Sequence, residues 1–202
     1  MRVFAAVEVP EIVRARVAAA SRDLLAGIRA AKLVAAPNLH VTVRFVGEVD
    51  DAAVGALCAA VGEAASSVVP SVAELRGFGI FPDRRRPRVV WAGVDDPSGV
   101  FPALEAAVSE RLAALGYPRE SRPYSAHLTV ARMREAASTR NGTSTRNHVR
   151  DPGALSARLA AAERDPPAFG AIPVECLTVF QSELGPGGSR YTALARCPLH
   201  NP

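Results

Sequence analysis

A six-residue pattern occurs twice in this chain, as Asn38-Leu39-His40-Val41-Thr42-Val43 and as Ser125-Ala126-His127-Leu128-Thr129-Val130. Each copy runs apolar-His-apolar-Thr-apolar, which is the period of a strand. Along a strand, His and Thr of one copy share a face about 6.5 Å apart, and the apolar residues point the other way. The chain contains only four histidines, and half of them fall in this repeat. A fold that uses the pattern must supply two half-buried strands, distant in sequence, whose polar faces meet across a cleft. Without the cleft, both pairs are ordinary half-solvated strand positions.

The segments around the repeat fill in an α+β chain. Val3 to Val9 is an apolar strand ended by Pro10, and Pro10 and Glu11 suit the first turn of a helix. Val13, Val17, Ala20, Leu24 and Ile28 then recur at helical spacing. The first copy of the repeat alternates as far as Phe45 and closes at Gly47. Asp50 or Asp51 caps a helix carrying Val54, Leu57, Val61 and Ala65. A strand from Ser71 to Gly77, a loop from Phe78 to Pro87 and a strand from Arg88 to Val94 follow. Pro102 opens a helix with Leu104, Val108 and Leu112 inward and Gly116 as its C-cap. After the strand Ala126 to Ala131, residues Arg134 to Arg150 have no apolar period and read as a flexible excursion. A helix restarts at Asp151 and Pro152. Strands Val174 to Phe180 and Tyr191 to Arg196 flank a turn around Gly185 to Gly188. Strands arrive singly and in pairs between helices, and no glycine fingerprint of a dinucleotide or P-loop site follows any of them. Antiparallel or mixed sheets with helices packed outside fit best.

Composition sets the boundaries. With 202 residues, 49% hydrophobic and 22% charged, the chain buries a core without a disulfide or metal staple. A net charge of +4 is compatible with a polyanionic substrate without demanding one. Cys58, Cys176 and Cys197 are odd in number, far apart and without a CxxC, so reduced thiols in a cytoplasmic protein are expected. No signal-peptide core and no apolar run long enough for a membrane span is present.

Two imidazoles facing one anion can divide acid and base roles near neutral pH. Two hydroxyls can donate to phosphoryl oxygens without adding charge. No carboxylate or third histidine stands at ligand spacing, so neither metal nor cofactor is expected.

The blocks Arg2-Val3-Phe4-Ala5-Ala6-Val7, Asn38 to Gly47, Gly79-Ile80-Phe81-Pro82, Pro87 to Gly93, His127 to Arg132, and Ser182-Glu183-Leu184 with Tyr191 carry a further likeness. In them the chain resembles the 2H phosphoesterase superfamily, specifically the bacterial and archaeal RNA 2′,3′-cyclic phosphodiesterases, historically called 2′-5′ RNA ligases. The resemblance implies one unit over residues 1–202 with two pseudo-symmetric lobes, whose two antiparallel sheets line a central cleft with helices outside. It implies His40 as proton donor, His127 as proton acceptor, and Thr42, Thr129 and Arg132 as phosphate ligands. It also implies opening of RNA 2′,3′-cyclic phosphate ends to 2′-phosphates, reversible 2′-5′ ligation, and RNA ends, tRNA fragments among them, as partners of a monomer. The alternatives are a nucleotide- or RNA-binding module without turnover on the same fold, and a phosphodiesterase for a small cyclic nucleotide. The stretch 134–150 is longer than the family's usual connection.

Other residues carry weaker expectations. Strict alternation puts Arg44 on the face of His40 and Thr42, where it would meet phosphate. The same alternation turns Arg132 away from His127 and Thr129, so a bulge must reorient it if it is a ligand. Arg84 and Arg85, in a basic loop with Arg86 and Arg88, and Phe81 beside them are candidate RNA or base contacts. Trp91, in an apolar strand, reads as core. His148 and His200 have no companion threonine and no assigned role.

Overall fold

An almost uninterrupted apolar run, Val3 to Val7, makes the first strand a central one. In the computed structural model, which describes residues 1–84, 86–134, 152–186 and 188–200, β1 (Arg2–Glu8) has its five inner residues buried and a strand hydrogen-bonded on each side. The other strands are β2 (Ala31–Leu33), β3 (His40–Glu48), β4 (Ser71–Phe81), β5 (Val89–Asp95), β6 (His127–Met133), β7 (Ala168–Val174), β8 (Cys176–Gly185) and β9 (Gly188–Pro198). They order as β7-β4-β5-β6-β3-β1-β8-β9, with β2 added on β6, and every pairing is antiparallel. The two expected sheets are the halves β7-β4-β5-β6 and β3-β1-β8-β9, and they are continuous. A single register pair, Val41 with Leu128, joins them.

Helices α1 (Glu11–Leu24), α2 (Val54–Ser66), α3 (Val100–Ala114) and α4 (Pro152–Arg164) complete the fold. Val13 and Val17, Leu57 and Val61, Leu104 and Val108, and Leu155 and Leu159 join one core with Val41, Val43, Leu128 and Val130 of the sheet. The helices therefore cover the apolar face of the His-x-Thr strands, and the polar face is left to the site. Among the described residues no helix is long and apolar enough to cross a membrane.

Three differences from the sequence reading have local causes. β4 does not stop at Gly77, because this glycine, at φ 66°, sits in a register shift between Arg76 and Phe78 and the strand runs on to Phe81. α3 begins at Val100 rather than Pro102, because the Asp96 carboxylate accepts from the N–H groups of Val100 (3.2 Å) and Phe101 (2.8 Å). β7 carries Gly170 and Pro173, which argue against a strand, yet it ends the sheet order and pairs only with β4, where proline is tolerated. Of the excursion 134–150, all but Arg134 lies outside the described residues.

Candidate active site

His40 opens β3 and His127 opens β6, each two residues after a backbone carbonyl that its ring reaches back to meet. His40 Nδ1 donates to the Asn38 carbonyl at 2.8 Å, and His127 Nδ1 donates to the Ser125 carbonyl at 2.8 Å. A carbonyl only accepts, so in both rings the Nδ1 proton is dictated and Nε2 is left for chemistry. At His40 that Nε2 lies 3.1 Å from Thr42 Oγ1, whose hydroxyl donates to it while the ring is neutral.

The pair Val41–Leu128 sets how the two copies face each other. Antiparallel register places His40 opposite Thr129 and Thr42 opposite His127, all four on the face away from the buried Val41 and Leu128. The histidines are then diagonal neighbours, a relation that spans roughly 7–8 Å in a regular ladder.

Their surroundings differ. His40 stacks on Phe4 (4.9 Å between ring centroids) and meets the edge of Tyr191 (5.3 Å), with Phe180 behind at 6.4 Å. This burial lowers its pKa from 6.5 to about 4. The Asn38 carbonyl opposes the shift, and the charges of Arg132 and His127 add to it. His40 is thus neutral at pH 7, the state of an acceptor, and the donor role requires it to gain a proton. His127 is flanked by Phe81 (5.1 Å, edge-on) and Trp91 (6.4 Å).

The same irregularity follows the threonine in both copies and decides where the arginines go. In β3 the register skips Val43, so Thr42 faces Ala6 and Arg44 faces Ala5. In β6 it skips Val130, so Thr129 faces Trp91 and Ala131 faces Val90. Each bulge turns two consecutive residues, Val43 with Arg44 and Val130 with Ala131, to the buried side. Arg44 is therefore no phosphate ligand as expected. It is 3% exposed, donates from Nη2 to the Pro118 carbonyl and lies 3.8 Å from Glu120. Arg132 gains what Arg44 loses, since its bulge returns it to the face of His127 and Thr129, where its charge reaches His40. The residue equivalent to it in the first copy is Phe45, 49% exposed.

Phe81 stands beside His127, as a base contact requires. Trp91 is not core as expected: it is half-buried between the buried Val90 and Ala92, on the site face of β5. Its ring lies so flat on Gly79 that a Cβ there would sit 2.2 Å from it. The guanidinium of Arg84 pairs with Glu163 of α4, and both side chains are exposed. Arg85 and His148 lie outside the described residues. The Asn38 and Ser125 carbonyls, Phe4 and Tyr191 were missed by sequence reasoning. Backbone carbonyls carry no side-chain signature, and Phe4 sits in a run indistinguishable from core. Among the described residues no group of three or more His, Cys, Asp or Glu side chains could hold a metal ion.

Fold and site together define a phosphoesterase of the two-histidine class. The chain belongs to the LigT-like phosphoesterase family, whose model matches residues 7–91. Its relatives include the RNA 2′,3′-cyclic phosphodiesterase of Methanothermobacter thermautotrophicus, 30% identical over 192 residues that make up 95% of each chain. The enzyme of the same description from Thermus thermophilus is 32% identical over 98% of this chain and 90% of its own. Among solved structures, a Thermus thermophilus protein superposes with a TM-score of 0.74 at 29% identity over 98% of both chains. E. coli LigT in complex with 3′-AMP superposes with a TM-score of 0.73 at 26% identity, covering 99% of this chain and 98% of the other.

Proposed function

We propose that this protein hydrolyses 2′,3′-cyclic phosphate ends of RNA to 2′-phosphates, as a cytoplasmic monomer acting on RNA 3′ ends such as those of tRNA fragments. The observation that carries the reading is the pair of imidazoles, each fixed through Nδ1 to a carbonyl two residues earlier, which leaves Nε2 of each ring for chemistry, at His40 against the Thr42 hydroxyl. Relatives described as RNA 2′,3′-cyclic phosphodiesterases over nearly the whole chain supply the substrate class.

In the reaction, water attacks phosphorus opposite the 3′ oxygen. His127 Nε2 takes the water proton, the bond from phosphorus to the 3′ oxygen breaks, and His40 Nε2–H protonates that oxygen. A 2′-phosphate and a 3′-hydroxyl result. Base and acid must flank the phosphate, which two histidines from different strands can do. Proton gain at His40 has a second effect. Neutral, its Nε2 accepts from Thr42; protonated, it donates, and the Thr42 hydroxyl is released to bind a non-bridging oxygen. The incoming anion favours this state by offsetting the positive charge of Arg132 that opposes it. Thr129 and Arg132 serve the remaining phosphoryl oxygens, and Phe81 stacks a base. With a 5′-hydroxyl in place of water, microscopic reversibility yields a 2′-5′ linkage.

The test is end-group analysis of a short oligonucleotide bearing a 2′,3′-cyclic phosphate, with a cyclic mononucleotide alongside. The expected product is a 2′-phosphate on the oligonucleotide. A 3′-phosphate, binding without turnover, or turnover of the mononucleotide alone would refute the proposal.

A further inference from the structure

Only one register pair holds β3 against β6, whereas β1 accompanies β3 along nearly all of its length. The spacing of the two His-x-Thr strands must then be held by something other than a ladder. The segment between α3 and β6 supplies it. At its start, the buried guanidinium of Arg44 on β3 donates to the Pro118 carbonyl, with the Glu120 carboxylate 3.8 Å away. At its end, the Tyr124 hydroxyl donates to the Thr42 carbonyl at 3.0 Å. The next residue, Ser125, offers the carbonyl that orients His127. Thr42 in turn carries the hydroxyl that meets His40. One dipeptide, Tyr124-Ser125, thus touches both motifs. Burial raises the pKa of the Tyr124 phenol, so it keeps the proton it donates.

Resting on the proposed reaction, we propose that Tyr124 is a positioning residue, a clamp from its hydroxyl to the Thr42 carbonyl that sets the distance between the two catalytic histidines, with Arg44 anchoring the other end of the same segment. The clamp matters to the step that needs both imidazoles at once and not to ground-state binding. A displacement near 1 Å in such a pair costs on the order of 100-fold in rate, and partial loosening costs less.

Tyr124→Phe tests this, because it removes one oxygen and keeps the half-buried ring. The expected kcat is about tenfold lower, with the affinity for a 2′-phosphate product and the thermal midpoint little changed. A double-mutant cycle supplies the readout that a merely structural role would not move. In the His127→Ala background, where no second imidazole remains to be spaced, Tyr124→Phe should change the residual rate less than twofold. Equal losses in both backgrounds, or an unchanged kcat in the single variant, overturn the clamp. Wild-type turnover of the cyclic-phosphate oligonucleotide is measured first. If it is absent, the proposed function fails, and the clamp is judged on the imidazole ¹⁵N spectrum of the unliganded protein. There, Tyr124→Phe must shift the signals of both His40 and His127; a shift of one or neither overturns it.

Discussion

At the scale of single residues, the two histidines share a tautomer and differ in what surrounds them. Phe4, Phe180 and Tyr191 enclose His40, and burial holds it near 4 where an exposed imidazole titrates near 6.5. Protonating both rings leaves no base, so the acid limb of the kcat/KM profile should have its midpoint near 4 rather than near 6.5. Folding is linked to the same group. The unfolded chain takes up this proton near 6.5 and the folded chain only near 4, so the unfolded state binds more protons between them. Stability therefore falls as pH drops through that window. His40→Phe retains an aromatic ring in the nest and removes the titration. In urea unfolding it should gain stability relative to wild type as pH is lowered from 7 to 4.5. A wild-type-to-variant difference that does not change with pH contradicts the assignment.

At the scale of the element, the bulge after each threonine is the feature that most changes the reading of the sequence. Alternation is a rule of period two, and one extra residue inverts it for everything downstream. His40, Thr42, His127 and Thr129 precede the bulges, and so their shared face was legible from spacing alone. Arg44 and Arg132 follow them, and no residue type at Val43 or Val130 announces the insertion. The bulges predict opposite outcomes for two arginines that look alike in sequence. Arg132→Ala should raise KM for the cyclic-phosphate oligonucleotide about tenfold and leave the thermal midpoint nearly unchanged. Arg44→Ala should lower the thermal midpoint, because it empties the buried space that the side chain fills and removes its hydrogen bond to the Pro118 carbonyl. Steady-state kinetics and calorimetry on both variants check this, and a reversed pattern would place the bulges wrongly. Gly77, where the sequence reading ends a strand, and Pro173, in a strand it does not predict, differ for a related reason. Each usually ends a strand, but here one sits in a bulge and the other on a strand paired along one edge only.

At the scale of the molecule, the four described α-helices back one face of a single antiparallel sheet, and the proposed chemistry occupies the other. The repeat in the sequence corresponds to the two strands where the sheet halves meet, β3 and β6. Their existence was legible; their junction through Val41 and Leu128 was not, because a lone register pair between distant strands leaves no local pattern. In the proposed mechanism, that junction brings two histidines so far apart in the chain to one phosphate, so neither should work alone. The most direct measurement is therefore the single-turnover rate of 2′,3′-cyclic phosphate opening by wild type, His40→Ala and His127→Ala, with binding measured on the same oligonucleotide. Each substitution is predicted to lower the rate by at least about 100-fold with only a modest change in affinity. A variant that retains a near-wild-type rate would contradict the two-histidine account.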